Sequence, residues 1–188
     1  MCARRLETRP DADRAAKQDE GAEMKALTLT QPWATLVAIG AKRIETRSWS
    51  TSYRGPLAIH AAKGLGPVGG KRGLMEQCAI EPFNTVLKAA GERHYAQHTS
   101  LRAMAEHPFM PLGMIVAVCN LYDCVPVDMP MIYKRGFAQW AVPPGNISHE
   151  YAFGDYTPGR FAWLLADIEP LSEPIPAKGA LGLWEWNR

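Results

Sequence analysis

Apolar and polar positions along this chain fall into short stretches, most of them the length of a strand. Met24-Lys25-Ala26-Leu27-Thr28-Leu29 predicts a first strand, and Leu57-Ala58-Ile59-His60-Ala61 another, opened by an Arg54-Gly55-Pro56 turn. Gly113 to Val127 reads as one long strand or a bent pair, apolar on both sides at first and alternating later. Arg160 to Ile168 predicts a strand with Phe161, Trp163, Leu165 and Asp167 on one face, and Ala180 to Trp186 the last strand. Between these, Pro170, Pro174 and Pro176 bound a short extended piece.

Helical patterning occupies two places. Thr30-Gln31-Pro32-Trp33 looks like a helix start with Pro32 at the first helical position; Ala34 to Ile39 makes about two turns. Gly40 then supplies the positive φ that ends them. Leu74 to His107 reads as helix in two or three pieces: Pro82 opens Phe83 to Ala90, Gly91 closes it, and Glu92 to His107 continues. Gly64 to Gly73 predicts a flexible loop. Its Gly64-x-Gly66-x-x-Gly69 lacks the βαβ setting of a dinucleotide site. Asp128 to Gly159 predicts ordered loop with one short helix. Many short strands with helical material inserted between them predict a mainly β, α+β fold closed into a small barrel.

Met1 to Glu23 has no apolar face to bury, which predicts a disordered tail before one domain over 24–188, with a helical insertion at about 64–108. Met1 and Met24 are both candidate starts. The 188 residues are 47% apolar and 21% charged, enough for one core without covalent staples. The four cysteines follow no disulfide or zinc spacing, and no apolar run approaches the length of a membrane helix. A cytosolic, cytoplasmic location with no membrane contact is expected. His94 and His98 lie four apart, but no further ligand set accompanies them, so neither metal nor cofactor is expected.

Charge changes the picture. From Lys25 to Arg72 there are eight basic residues against one acid; from Leu121 to Arg188 there are five basic and eight acidic. A basic half with scattered aromatics suggests a polyanion partner, nucleic acid being the commonest, against a merely mixed solvated surface. Within it, Gly40-Ala41-Lys42-Arg43-Ile44-Glu45-Thr46-Arg47 gathers cations and one carboxylate behind a helix-ending glycine. Strict alternation would place Lys42 and Glu45 on opposite faces, so their convergence requires Lys42 to lie in the turn. Lys42 is then a candidate base or nucleophile, Glu45 a group that holds a water or takes a proton, and Arg47 a fixed anion fork. The plainer alternative is a surface ion-pair cluster worth under about 1 kcal/mol.

Gly40-x-Lys42-x-x-Glu45-x-Arg47 resembles the G-x-K-x-x-E-x-R signature of the ASCH domain, a relative of the PUA fold. The flanks Leu29-Thr30-Gln31-Pro32-Trp33-Ala34, Tyr53-Arg54-Gly55-Pro56 and Ile59-His60-Ala61 are similar too, as is the closing Gly179-Ala180-Leu181-Gly182-Leu183-Trp184. The resemblance covers most of 24–188, apart from 64–108, and implies a PUA-like small β-barrel. The expected function is binding of RNA or a nucleotide-like ligand in a basic cleft around this motif; the alternatives are metal-independent hydrolysis of a modified nucleoside or of RNA, and a protein-interaction module in transcription or translation regulation. Some similar proteins hydrolyse acylated cytidine with a lysine, a threonine and a glutamate. Lys42 matches that lysine, while Glu45 stands where the threonine would be.

Exposed aromatics beside cations suit single-stranded nucleic acid. Trp33 and Trp49 flank the motif and are stacking candidates, whereas Trp163 and Trp184 read as core. Tyr53-Arg54 adds an aromatic–cation pair. His60 and Lys63 follow on the next strand, His60 reading more readily as a structural histidine. Phe153-Gly154-Asp155-Tyr156 is a loop with an acid and a phenol, placing Tyr156 among the candidate ligand contacts. The insertion offers a surface for a protein partner.

Overall fold

The structure, a computed structural model, describes residues 23–65, 70–90, 110–127 and 147–187. The expected tail (Glu23 apart), the helical continuation over 92–107 with His94 and His98, and the stretch 128–146 lie outside these residues. The elements are β1 (Glu23–Leu29), α1 (Trp33–Ala38), β2 (Ile44–Arg47), β3 (Gly55–Ala61), α2 (Gly70–Ala79), α3 (Phe83–Ala89), β4 (Met114–Pro126), α4 (Ile147–Ala152), β5 (Phe161–Pro176) and β6 (Leu183–Asn187).

The strands form one six-stranded sheet in the order β2-β5-β4-β3-β1-β6. All described pairings are antiparallel except β1 with β3, where Lys25 to Leu29 run beside Leu57 to Ala61. The fold is mixed α+β as expected, but the sheet does not close into a barrel. Its terminal strands, β2 and β6, share no ladder. The reason lies at β2, whose outer backbone groups are taken by side chains instead of by a further strand, as set out below.

β5 departs from expectation in a second way, running through Pro170 and Pro174 to Pro176. Pairing with β2 stops at Leu164, so among the described residues β5 is bordered beyond it by β4 alone. On that free edge a missing N–H costs no ladder bond, and proline is tolerated. The β4–β5 register shifts around Glu169 and Ala166, and Asp167 adopts φ +48° in that irregularity.

The main core joins the sheet to one face of α1: Leu27, Leu29, Val37, Leu57, Ile59, Leu121, Trp163 and Leu165 are all buried there. A second cluster joins the opposite face of α1 to the insertion, through Leu36, Leu74, Cys78, Phe83, Leu87 and Phe153. Leu36, Leu74 and Leu87 are fully buried, and each such leucine contributes about 1.5–3 kcal/mol relative to exposure. The described part of the insertion is helical and adds no strand to the sheet. Its first helix starts at Gly70, so 70–73, expected as loop, is helix. No helix among the described residues is long and apolar enough to cross a membrane.

Candidate functional site

The site begins at the end of α1. Pro32 occupies the N-cap rather than the first helical turn, and Gln31 Oε1 accepts the Thr35 N–H at 3.1 Å. At the other end Gly40 takes φ +72°, where a side chain would be strained. The Leu36 carbonyl then accepts the N–H of both Ala41 (3.0 Å) and Lys42 (2.9 Å). This turn sends Lys42 inward just before β2 begins at Ile44. Lys42 therefore belongs to the turn, and its Nζ stands 3.5 Å from Glu45 Oε2.

Lys42 is fully buried. Its ammonium donates to the Ile44 carbonyl and lies 3.9 Å from Glu150 Oε1. Glu150, 1% exposed, reaches in from α4 and accepts the N–H of Arg43 (2.8 Å) and of Ile44 (3.1 Å). Since the Arg43 carbonyl accepts from Leu165 of β5 at 2.9 Å, Ile44 points its N–H and C=O away from the sheet. Lys42 and Glu150 take those two groups. Further along, Arg160 Nη2 donates to the Thr46 carbonyl at 3.3 Å, and Thr46 Oγ1 accepts the Asp155 N–H at 3.0 Å. The segment from α4 to Arg160 thus covers the edge of β2.

Across the gap between β2 and the end of β1, past its last pairing with β6 at Leu27, Arg47 Nη2 donates to the Thr28 carbonyl at 2.9 Å. The gap is a cleft of about 560 Å³. The ends of β1 and β2 (Thr28 to Thr30, Glu45 to Arg47) form its floor and sides, Trp33, Gln77 and Phe83 one wall, and Ala152 to Asp155 with Arg160 the other. Three aromatics border it edge to face, half-buried Trp33 on Phe83 at 6.0 Å and Phe83 on Phe153 at 4.8 Å, both phenylalanines buried. Gly154 keeps the second wall tight, because a Cβ there would fall 2.7 Å from Tyr156 Cε2 and 3.2 Å from Thr46 Cγ2.

The electrostatics follow from burial. Loss of water raises the Glu150 carboxyl above its ordinary range, and the Lys42 charge and two backbone N–H groups partly offset this. Burial, with Glu150 and Glu45 nearby, pushes the Tyr156 phenol up, so it stays protonated. The Thr157 hydroxyl holds Asp155 below the usual carboxylate range, helped by the Thr157 N–H and by Arg160. Glu45 Oε1 lies 3.1 Å from Arg47 Nε, but the guanidinium N–H is not aligned with it; Arg160 Nε stands likewise 3.3 Å from Asp155 Oδ2.

A family model for the ASCH domain matches residues 27–171. The chain belongs to the ASCH family. Among solved structures it is similar to an ASCH protein from Zymomonas mobilis, with 15% identity and a TM-score of 0.40 over 81% of this chain and 72% of that one. A mutant of that protein gives 14% identity and a TM-score of 0.39 over 81% and 74%. No curated protein matches this ASCH chain with significance.

Of the residues singled out from sequence, Glu45, Arg47 and Trp33 line the cleft of this ASCH domain. Lys42 and Tyr156 lie behind it, Tyr156 with its hydroxyl 3.5 Å from Glu150 Oε1. The others are elsewhere. Trp49 packs edge-on against Trp163 at 4.6 Å and accepts its indole N–H through the backbone carbonyl. Arg54 pairs with Asp123 at 2.9 Å. Lys63 is exposed outside the cleft lining. His60 is 2% exposed, between Thr28 Oγ1 (3.2 Å) and the Ala177 carbonyl (3.1 Å); burial lowers its pKa. Sequence reading missed Glu150, Thr46 and Arg160. Nothing local marks Glu150 as the partner of a turn 106 residues earlier. Among the described residues no group of His, Cys, Asp and Glu is placed to hold a metal.

Proposed function

We propose that this ASCH protein binds a nucleobase-bearing ligand, a nucleotide-like molecule or a single-stranded stretch of RNA, with the base inside the cleft between β1 and β2. One observation carries the reading: aromatic rings and charged and polar side chains line one space of about 560 Å³. That volume lies within the ordinary size of small-ligand sites, roughly 300–1,000 Å³. A planar base asks for such a combination, an apolar wall beside hydrogen-bonding groups at its edge.

The charge of the described lining departs from the expectation of a basic cleft. Among the described residues the charged lining consists of Arg47 and Arg160 against Glu45 and Asp155, a balanced set. A balanced site supports recognition of a base or nucleoside over tracking of a phosphate backbone, which needs a surplus of cations. The cysteine pattern favours a cytosolic setting for it. A protein-docking role for the insertion has less support, since Ile80 is the large apolar side chain exposed among its described residues.

A hydrolytic reading has one observation in its favour: Glu45 faces the cleft while Lys42 stands behind it at 3.5 Å. That pair would let Glu45 position a water against an exocyclic group of the base. Calorimetric titration of the full chain with nucleosides and short single-stranded RNAs, followed by chromatography of the mixtures, tests both readings. Saturable binding that Arg47→Ala weakens supports the cleft, and new products that vanish in Glu45→Gln support hydrolysis. Absence of binding to every nucleoside and RNA overturns the proposal.

A further inference from the structure

Granted the nucleobase reading above, the structure assigns the cleft a preference for a base edge with two adjacent N–H donors beside a carbonyl, which among the common bases is guanine. The inference starts from Glu45. Its side chain is 11% exposed and lines the cleft, with Lys42 Nζ 3.5 Å from one oxygen and Arg47 Nε 3.1 Å from the other. Neither contact is a hydrogen bond, so among the described residues nothing donates an aligned hydrogen to this nearly buried carboxylate. An ionised carboxylate offers about four acceptor sites and no donor. Two ion pairs leave acceptor capacity on this carboxylate where it lines the cleft, and the group best able to fill it is a ligand with N–H bonds to give.

The neighbours narrow the choice. Arg47 is anchored to the Thr28 carbonyl through Nη2, and its other terminal nitrogen makes no hydrogen bond among the described residues. A donor fork therefore stands directly beside an acceptor-only carboxylate. Guanine presents O6, N1–H and the N2 amino group in a row. N1–H and N2–H meet the two carboxylate oxygens, and O6 meets the guanidinium. Uracil offers one N–H between two carbonyls, so one of its oxygens would face the carboxylate. Cytosine and adenine each offer one amino group next to a ring nitrogen whose lone pair would face the second oxygen. Lone pairs pressed against an ionised, poorly solvated carboxylate are repelled, and the penalty grows as water is excluded. Trp33 and the Phe83–Phe153 pair give the ring plane its apolar wall and add little to the choice among bases.

The test uses the full chain and free nucleosides, which carry no phosphate to confuse the charge argument. Guanosine, inosine, 1-methylguanosine, cytidine, uridine and adenosine are titrated by calorimetry at neutral pH. Guanosine should bind tightest; inosine, which lacks the 2-amino group, should bind roughly tenfold more weakly, and 1-methylguanosine, which blocks N1, weaker still. Glu45→Gln should narrow the gap between guanosine and inosine. If that variant fails to fold, the inosine and methyl comparisons on the unmodified protein decide alone. Equal affinity for all six nucleosides, or a preference for another base, overturns the guanine assignment and leaves the nucleobase reading standing. Binding by none overturns both.

Discussion

Lys42 and Glu150, with charged groups 3.9 Å apart, divide the backbone of Ile44 between them: the ammonium takes its carbonyl and the carboxylate its N–H. Together they stand in for the strand that would otherwise continue the sheet past β2. Two buried charges at this position complete a backbone rather than decorate a surface.

Removing either partner should therefore cost far more than a surface ion pair. Glu150→Ala strands two backbone N–H groups and takes one carboxylate from the buried Lys42, which places the loss at about 3–5 kcal/mol. Urea denaturation measures it directly. A loss under about 1 kcal/mol would show that the edge of β2 finds other partners.

Lys42→Arg separates a structural role from a reactive one. A reactive lysine predicts a variant that folds, binds and does not turn over. A lysine that caps an edge inside a fully buried pocket predicts a clear fall in melting temperature, since the broader guanidinium must be accommodated there. Thermal unfolding of the purified variant distinguishes them, and the geometry favours the fall.

The pH dependence has two opposed parts. Burial lowers the His60 pKa below 6.5, so in the window from 6.5 down to that folded value the unfolded chain binds the extra proton. Stability contributed by neutral His60 is complete above about 6.5 and is lost as pH falls. The Glu150 pKa is raised above 4.5, so between 4.5 and its folded value the native state holds the extra proton and stability falls as pH rises. His60→Gln should flatten the decline below pH 6.5, whereas Glu150→Gln should remove the opposing slope. Denaturation midpoints from pH 4.5 to 7.5 for the three proteins check both signs.

These contrasts show what the chain discloses in its order of residues. Strand positions, the α1 stop at Gly40 and the meeting of Lys42 with Glu45 are written locally, in alternation, a glycine with positive φ and a three-residue spacing. The open sheet is not, because closure depends on whether a strand or a set of side chains covers β2. Those side chains, Glu150 and Arg160, lie more than a hundred residues downstream. Pro170 and Pro174 mislead for a related reason: whether proline ends a strand depends on whether its N–H side has a neighbour, and among the described residues it has none past Leu164. Trp49, a stacking candidate by sequence, is held instead against Trp163.

Gly154→Ala should separate cleft shape from stability. The added methyl would lie 2.7 Å from Tyr156 and 3.2 Å from Thr46, and the wall formed by 152–155 must shift to admit it. Overpacking of this kind costs about 1–3 kcal/mol, and ligand affinity should fall together with it. Calorimetry alongside thermal unfolding reads both. Unchanged affinity in a destabilised variant would mean that this wall does not contact the ligand.

The last prediction sets the cleft against the basic half as a whole. If the ligand enters between β1 and β2, Arg47→Ala loses the guanidinium that both bridges to Thr28 and faces the base, and affinity should fall roughly tenfold or more. Arg54→Ala and Lys63→Ala remove equal charge from the same half of the chain but outside the cleft, and should leave affinity for a nucleoside unchanged. Salt supplies an independent reading. A charge-balanced cleft releases few counterions, so the logarithm of affinity for a short single-stranded RNA should change with the logarithm of salt by a slope of about one or less. Diffuse attraction to the basic half predicts a slope of several and similar losses from all three substitutions. Isothermal titrations of the four proteins between low and physiological salt distinguish the two, and equal effects at Arg47, Arg54 and Lys63 would remove the cleft from consideration as the binding site.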